Sequence, residues 1–183
     1  MKARAFDPAR LDVAAFAEQA GELAGQWPLK ELERLAGSAH EDCPPGDTPV
    51  EWQLRGELRK MRGGPPQVWL HLAARTHVDL VCQRCLQPLP TDIAGARSFQ
   101  FVPGENDAAE LDAASEDDVL ALTRALDART LVEDELLLSL PLVPRHPACP
   151  MPSTLAAGEP LGDEQPHPFA ALAALKGRTR GPA

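Results

Sequence analysis

The chain has 183 residues, a formal net charge of −9, 19 prolines and no tyrosine. That length accommodates one domain with an appended segment, and an aromatic share of 4% beside so much proline predicts a modest core with long connections. The acidic balance counts against a surface that is a nucleic-acid footprint throughout. No stretch approaches the roughly 20 apolar residues that span a bilayer, and Met1-Lys2-Ala3-Arg4 has no apolar run behind it. A cytoplasmic chain without a membrane segment is expected. Charge is unevenly placed, however. From Trp52 to Phe101 seven basic residues face three acids, a local net of +4, whereas from Val102 to Glu135 eleven acids face two arginines, a net of −9.

Asp7-Pro8 is a helix start, with an acid at the cap and proline at the first helical position. Leu11, Ala14, Ala15, Phe16 and Leu23 supply a weak apolar stripe, and a short extended piece follows over residues 22–27. Pro28 opens a second helix with Leu29, Leu32 and Leu35 at helical spacing, and residues 37–49 read as a loop around Pro44, Pro45 and Gly46. Beyond Pro49 the period changes to two. Val50, Trp52, Leu54 and Leu58 alternate with polar residues, as do Val68, Leu70, Leu72, Ala74, Val78 and Leu80 after the Arg62-Gly63-Gly64-Pro65-Pro66 turn. A third extended run goes from Leu89 through Ile93 to Phe101. Three sequential strands with short connections predict an antiparallel meander. The acidic, alanine-rich stretch 105–118 has little to bury and reads as a mobile loop. Thr130 followed by Glu133 matches a capping box that opens a helix through Leu131, Val132, Leu136 and Leu140 and stops at Pro141. Glu133, Asp134 and Glu135 then fall in a first turn, where the helix dipole favours acids without catalysis. Apolar periodicity returns at Phe169, Leu172 and Leu175, before the basic Lys176, Arg178 and Arg180.

The feature that carries chemistry is Cys82-Gln83-Arg84-Cys85. Two thiolates two residues apart in a tight turn have the geometry of a zinc knuckle, and in a reducing compartment metal binding competes with simple burial rather than with a structural disulfide. Two further ligands are on offer in Arg145-His146-Pro147-Ala148-Cys149, about sixty residues on. Cys82, Cys85, His146 and Cys149 would form a closed, structural site of three sulfurs and one nitrogen holding one zinc. The alternative is a pair of small buried residues that cap a hairpin. A thioredoxin-like role is disfavoured, because Pro88 and Pro90 follow where a helix N-terminus would have to lower the thiol pKa. Cys43, between Asp42 and Pro44, reads as an incidental loop thiol. There is no glycine-rich phosphate loop, no Gly-x-Ser-x-Gly elbow and no His-Glu-x-x-His run, so no enzyme is expected. His71, Arg75 and His77 lie on the strand face opposite the apolar one, and read either as a solvated sheet surface or as a basic face for phosphates.

Several of these pieces resemble the YceD family, the large ribosomal RNA subunit accumulation proteins. Leu32-Glu33-Arg34-Leu35 is similar to its N-terminal helix, and Cys82-Gln83-Arg84-Cys85-Leu86 to its Cys-x-Arg-Cys turn. The run from Leu131 to Pro144 resembles its acidic-then-apolar helix and closing proline segment, and His146 and Cys149 stand where related chains keep a His or Cys. Pro168-Phe169 with Leu172, Leu175 and Lys176 is similar to its closing Asn-Pro-Phe motif, with His167 in place of the Asn. The resemblance implies a role in synthesis, processing or stability of 23S ribosomal RNA, with no catalytic residues.

The expectation is therefore an α+β domain over residues 1–145, an antiparallel meander flanked by N-terminal helices and one later helix. Residues 146–183 would form a proline-rich extension with a short terminal helix. The partner expected is a ribosomal RNA precursor or the assembling large subunit, with Arg75, His77, Arg84 and Arg97 as phosphate contacts. The alternative is an acidic interaction module that binds a basic ribosomal protein without touching RNA.

Overall fold

A computed structural model describes residues 6–149, and the chain divides into two units, Met1–Pro147 and Ala148–Ala183. The terminal helix expected over residues 169–175 and the basic residues behind it lie outside the described residues. The first helix is broken in two. Asp7 accepts from the Ala9 N–H at 2.9 Å and starts a 3-10 turn, Pro8–Arg10. Asp12 then caps α1 (Val13–Glu18) through the Ala15 N–H at 3.2 Å. Next come β1 (Glu22–Pro28), a 3-10 turn over Leu29–Glu31, and the single-turn α2 (Glu33–Ala36).

The three long strands are β2 (Pro49–Arg59), β3 (Gln67–Val81) and β4 (Pro88–Val102). With β1 they form the expected antiparallel meander, in the spatial order β1-β2-β3-β4. Register follows from which face is buried, because side chains alternate across a strand. Leu54, Leu72 and Arg97 stand side by side on one face, as do Leu70 and Phe99. That inner face is covered by α1 and by α4 (Ala128–Leu138), whose Phe16, Val132 and Leu136 are fully buried against it. Two glycines let the helices close in. A Cβ on Gly56 would stand 2.8 Å from the Ala17 Cα, and one on Gly95 would stand 2.7 Å from the Glu135 carboxylate.

Two expectations are corrected between β4 and α4. Residues 105–118 are not a loop throughout. They form α3 (Glu105–Ala114), followed by β5 (Asp118–Ala121), which adds to the sheet edge parallel to β4. Alanine and glutamate are strong helix formers, Glu105 and Asp107 sit where the helix dipole favours acids, and the Asp112 carboxylate accepts from the Val119 N–H at 3.0 Å. A helix that buries only Ala108 leaves little apolar signal to read. The second correction concerns α4, which starts at Ala128 and is capped by Asp127, accepting from the Arg129 N–H at 2.9 Å, rather than by Thr130. Glu133, Asp134 and Glu135 thus lie in mid-helix, and the dipole does not explain them. Among the described residues, no helix is long and apolar enough to cross a membrane.

Candidate metal centre

β3 runs on past the inner core and delivers Cys82 to the end of the sheet, fully buried. The β3–β4 connection is a narrow hairpin. Cys82 donates its N–H to the Gln87 carbonyl at 3.0 Å, and Leu86 donates back to the Cys82 carbonyl at 2.9 Å. Closing it so tightly places Leu86 at φ +59°, a left-handed conformation that a β-carbon disfavours. A buried histidine supports the strained residue. His40 Nδ1 accepts from the Asp42 N–H at 3.1 Å, so its Nε2 carries the hydrogen and donates to the Leu86 carbonyl at 3.0 Å. Nothing in the sequence pointed to His40, because its partner is 46 positions away.

After α4 the chain turns back over this hairpin as a strap, residues 141–147. The Gln83 N–H donates to the Pro144 carbonyl at 2.8 Å. His146 Nε2 lies 3.0 Å from the Pro88 carbonyl, and a carbonyl can only accept, so that nitrogen holds the proton. His146 Nδ1 is left with its lone pair directed at the Cys85 sulfur, 3.4 Å away. The ligand atoms of Cys82, Cys85, His146 and Cys149 all lie within 4.8 Å of one another. The four residues proposed from sequence spacing are therefore brought together.

This donor set fits zinc. Bonds of about 2.3 Å to sulfur and about 2.0 Å to nitrogen put tetrahedral ligand atoms roughly 3.5–3.8 Å apart, inside the 4.8 Å spread of the four atoms here. The Pro88 carbonyl fixes the His146 tautomer from behind, as outer-shell acceptors do in zinc sites. The sulfurs are prepared as well. Burial pushes the Cys82 thiol up, but the backbone of Arg84, His146 and Cys85 and the Cys85 side chain outweigh it and hold Cys82 down at about 5. That direction favours the thiolate, which is the form a metal binds. Cys43 sits half-buried in the 37–49 loop, outside this cluster.

The four residues expected to touch RNA do not form one surface. Arg75 and His77 are on the open outer face of β3, where Arg75 Nε donates to Glu51 at 2.6 Å and His77 Nδ1 meets Asp92 at 2.8 Å. The same face pairs His71 with Glu57 at 2.8 Å, and Glu57 is held below its usual range by that bond first and by Arg59 next. Arg97 lies on the other, helix-covered face, in register with Leu72. There its guanidinium bonds Glu135 at 2.5 Å and Asp118 at 2.8 Å. Residues 97 and 75 fall on opposite faces in this register, so Arg97 and Arg75 do not share a surface. Arg84, at the tip of the hairpin, is exposed, and no carboxylate pairs with it among the described residues.

The acids of α4 have structural partners. Glu133, 8% exposed, accepts from the backbone N–H groups of Arg34 at 2.7 Å and Leu35 at 3.1 Å while also bonding the Arg34 guanidinium at 2.8 and 3.0 Å. It caps α2 from a distance of 99 positions.

Fold and site together define an α+β protein closed at one end of its sheet by a three-cysteine, one-histidine cluster. A family model described as "Large ribosomal RNA subunit accumulation protein YceD" matches residues 70–176, which include most of β3, all of β4 and α4, and all four cluster residues. The chain belongs to the YceD family. A relative from Haemophilus influenzae, the large ribosomal RNA subunit accumulation protein YceD, is 28% identical over 174 residues, 92% of this chain and 95% of its own. No solved structure matches.

Proposed function

We propose that this chain is a cytoplasmic, non-catalytic factor that sustains 23S ribosomal RNA, acting on precursor RNA or an early assembly particle, with one structural zinc closing its hairpin end. The observation that carries the reading is the cluster of Cys82, Cys85, His146 and Cys149, conjoined with membership of a family described by large-subunit RNA accumulation. A four-ligand site leaves no open coordination position, so zinc there supports shape rather than reaction. The Haemophilus relative is named a large ribosomal RNA subunit accumulation protein. Arg84 is the phosphate contact best supported among those considered, because Arg75, His77 and Arg97 already face carboxylates.

The test is the ratio of mature large- to small-subunit RNA, with precursor ends mapped, in cells depleted of the protein. Selective loss of the large-subunit RNA is expected. A normal ratio with normal ends refutes the reading. One observation favours a second mode of action: the exposed acids Glu105, Asp107, Glu110 and Asp112 of α3 would suit a basic ribosomal protein. Capture of such a protein in a salt-sensitive complex, with no affinity for RNA, would establish that mode instead.

A further inference from the structure

We infer that the hairpin tip and the strap together form a binding site for unpaired RNA, built from two arginines and three exposed apolar side chains, and that the metal ligands hold its two halves together. The inference rests on the RNA-binding reading above and assigns that reading a place.

One backbone hydrogen bond sets the geometry. Gln83 N–H meets the Pro144 carbonyl at 2.8 Å, and the next residue on each side of that bond is an arginine, Arg84 on the hairpin and Arg145 on the strap. Both are exposed, and neither has a carboxylate partner among the described residues; Arg10, Arg55, Arg62 and Arg124 share that state, but only Arg84 and Arg145 together flank one hydrogen bond between two segments. Arg84 and Arg145 each follow one partner of that bond, so two like charges without a carboxylate partner among the described residues are brought to the same end of the fold, where an anion is favoured. A bound zinc with three thiolates would carry a net charge of −1, which offsets one of them and leaves the other unmatched among the described residues. The loop that His40 fastens to Leu86 brings Glu41 and Asp42 toward this end, and neither pairs with either arginine. A phosphodiester backbone supplies the missing charge, and guanidinium forks match phosphate geometry.

The apolar residues say which kind of RNA. Leu86 is 67% exposed, Leu142 fully so and Val143 53% exposed, all on the same hairpin and strap. Six large apolar residues of the described chain are exposed, so half of them stand at this one end. A duplex offers phosphates and leaves such side chains facing water. Unpaired bases can lie against apolar side chains and arginine planes while their phosphates take the charges. The Arg145 half of the site is held where it is by Cys85 and His146, whose approach ties hairpin to strap over 61 positions. Loss of the metal would separate the arginines without removing either.

The experiment uses the full-length, metal-loaded protein and labelled oligoribonucleotides of about 16 nucleotides, one unstructured and one a duplex of the same length, followed by fluorescence anisotropy. The unstructured strand should bind better than the duplex. Arg84→Glu with Arg145→Glu should weaken it about tenfold or more, with unchanged metal content and a salt slope shallower by about 0.7 for each phosphate no longer neutralised. Chelation should weaken wild type by a comparable factor and add little to the double variant. The control is Lys60→Glu with Arg62→Glu, at the opposite end of β3, which should bind as wild type does. If the double variant binds normally, or the control is weakened as much, the site is overturned while RNA binding stands. If wild-type protein binds neither strand, the RNA reading itself fails, and this site with it.

Discussion

Replacing Glu133 by alanine tests the claim that the acids of α4 are structural. The side chain is 8% exposed and accepts two backbone N–H groups from the start of α2 as well as the Arg34 guanidinium. Alanine would leave the Arg34 and Leu35 amides without an acceptor in a part-buried setting, at about 1–3 kcal/mol for each group left unsatisfied. Partial access of water to α2 argues for the lower half, so a loss of about 3 kcal/mol is expected. At roughly 2–4 °C per kcal/mol for a chain of this size, the midpoint falls by about 6–12 °C. Thermal and urea unfolding followed by fluorescence of Trp27, Trp52 and Trp69 measures it. Arg34→Ala is the companion variant: it removes the exposed ion pair but leaves both backbone bonds to Glu133, so its loss should be clearly smaller. Equal losses in the two variants would refute the capping argument, and a Glu133→Ala protein as stable as wild type would refute the structural role altogether.

Other expectations follow from the same geometry. His40→Ala should weaken metal affinity about 10- to 100-fold while leaving the cobalt-substituted absorption spectrum unchanged, because His40 orients Leu86 and is not a ligand; a changed spectrum would make it one. Chelation should release the strap and speed tryptic cleavage after the exposed Arg145, and an unchanged cleavage rate would show that the strap stays in place without metal. Trp52 Nε1 is buried without a partner among the described residues, so Trp52→Phe sheds an unsatisfied donor while keeping an aromatic ring against Trp27, 4.4 Å away, and should stay within about 1 kcal/mol of wild type. Glu57→Gln should destabilise at neutral pH. The Glu57 carboxyl is depressed in the fold, so its contribution is present above the usual carboxylate value and fades as pH falls through the lowered one. Urea midpoints of the two proteins should converge near the acid end, and an equal gap at neutral and acid pH would contradict this.

Strand periodicity was the most legible part of this chain. The alternation from Val68 to Leu80 is unambiguous, since one face of β3 packs under helices and the other faces water. The cluster was legible for a different reason: cysteine and histidine are rare enough here that Cys82, Cys85, His146 and Cys149 were the natural set to bring together. What could not be read were decisions made over long separations. α3 carries no apolar stripe, and β5 is four residues whose partner strand lies on the far side of that helix. Glu133 looks like any surface acid until α2 arrives to be capped, and Arg97 looks like a neighbour of Arg75 until the register assigns it to the other face. Arg145 stood beside a candidate ligand in plain sight, and its meaning depended on a strap no local signal announces.

The pairing of β3 with β4 is long and antiparallel, and long strands of alternating side chains can mispair by one position. Here a one-residue slip would carry Arg97 to the water-facing side and bring Ser98 or Ala96 under α4, leaving Glu135 buried opposite nothing that could balance it. The same slip would displace Gly95 from the place where only a missing side chain admits the helix. Arg97 and Gly95, two positions apart, therefore act as a proofreading mark on the sheet: α4 can dock only on correctly aligned strands, and only then does the chain behind it reach the hairpin with His146 in position.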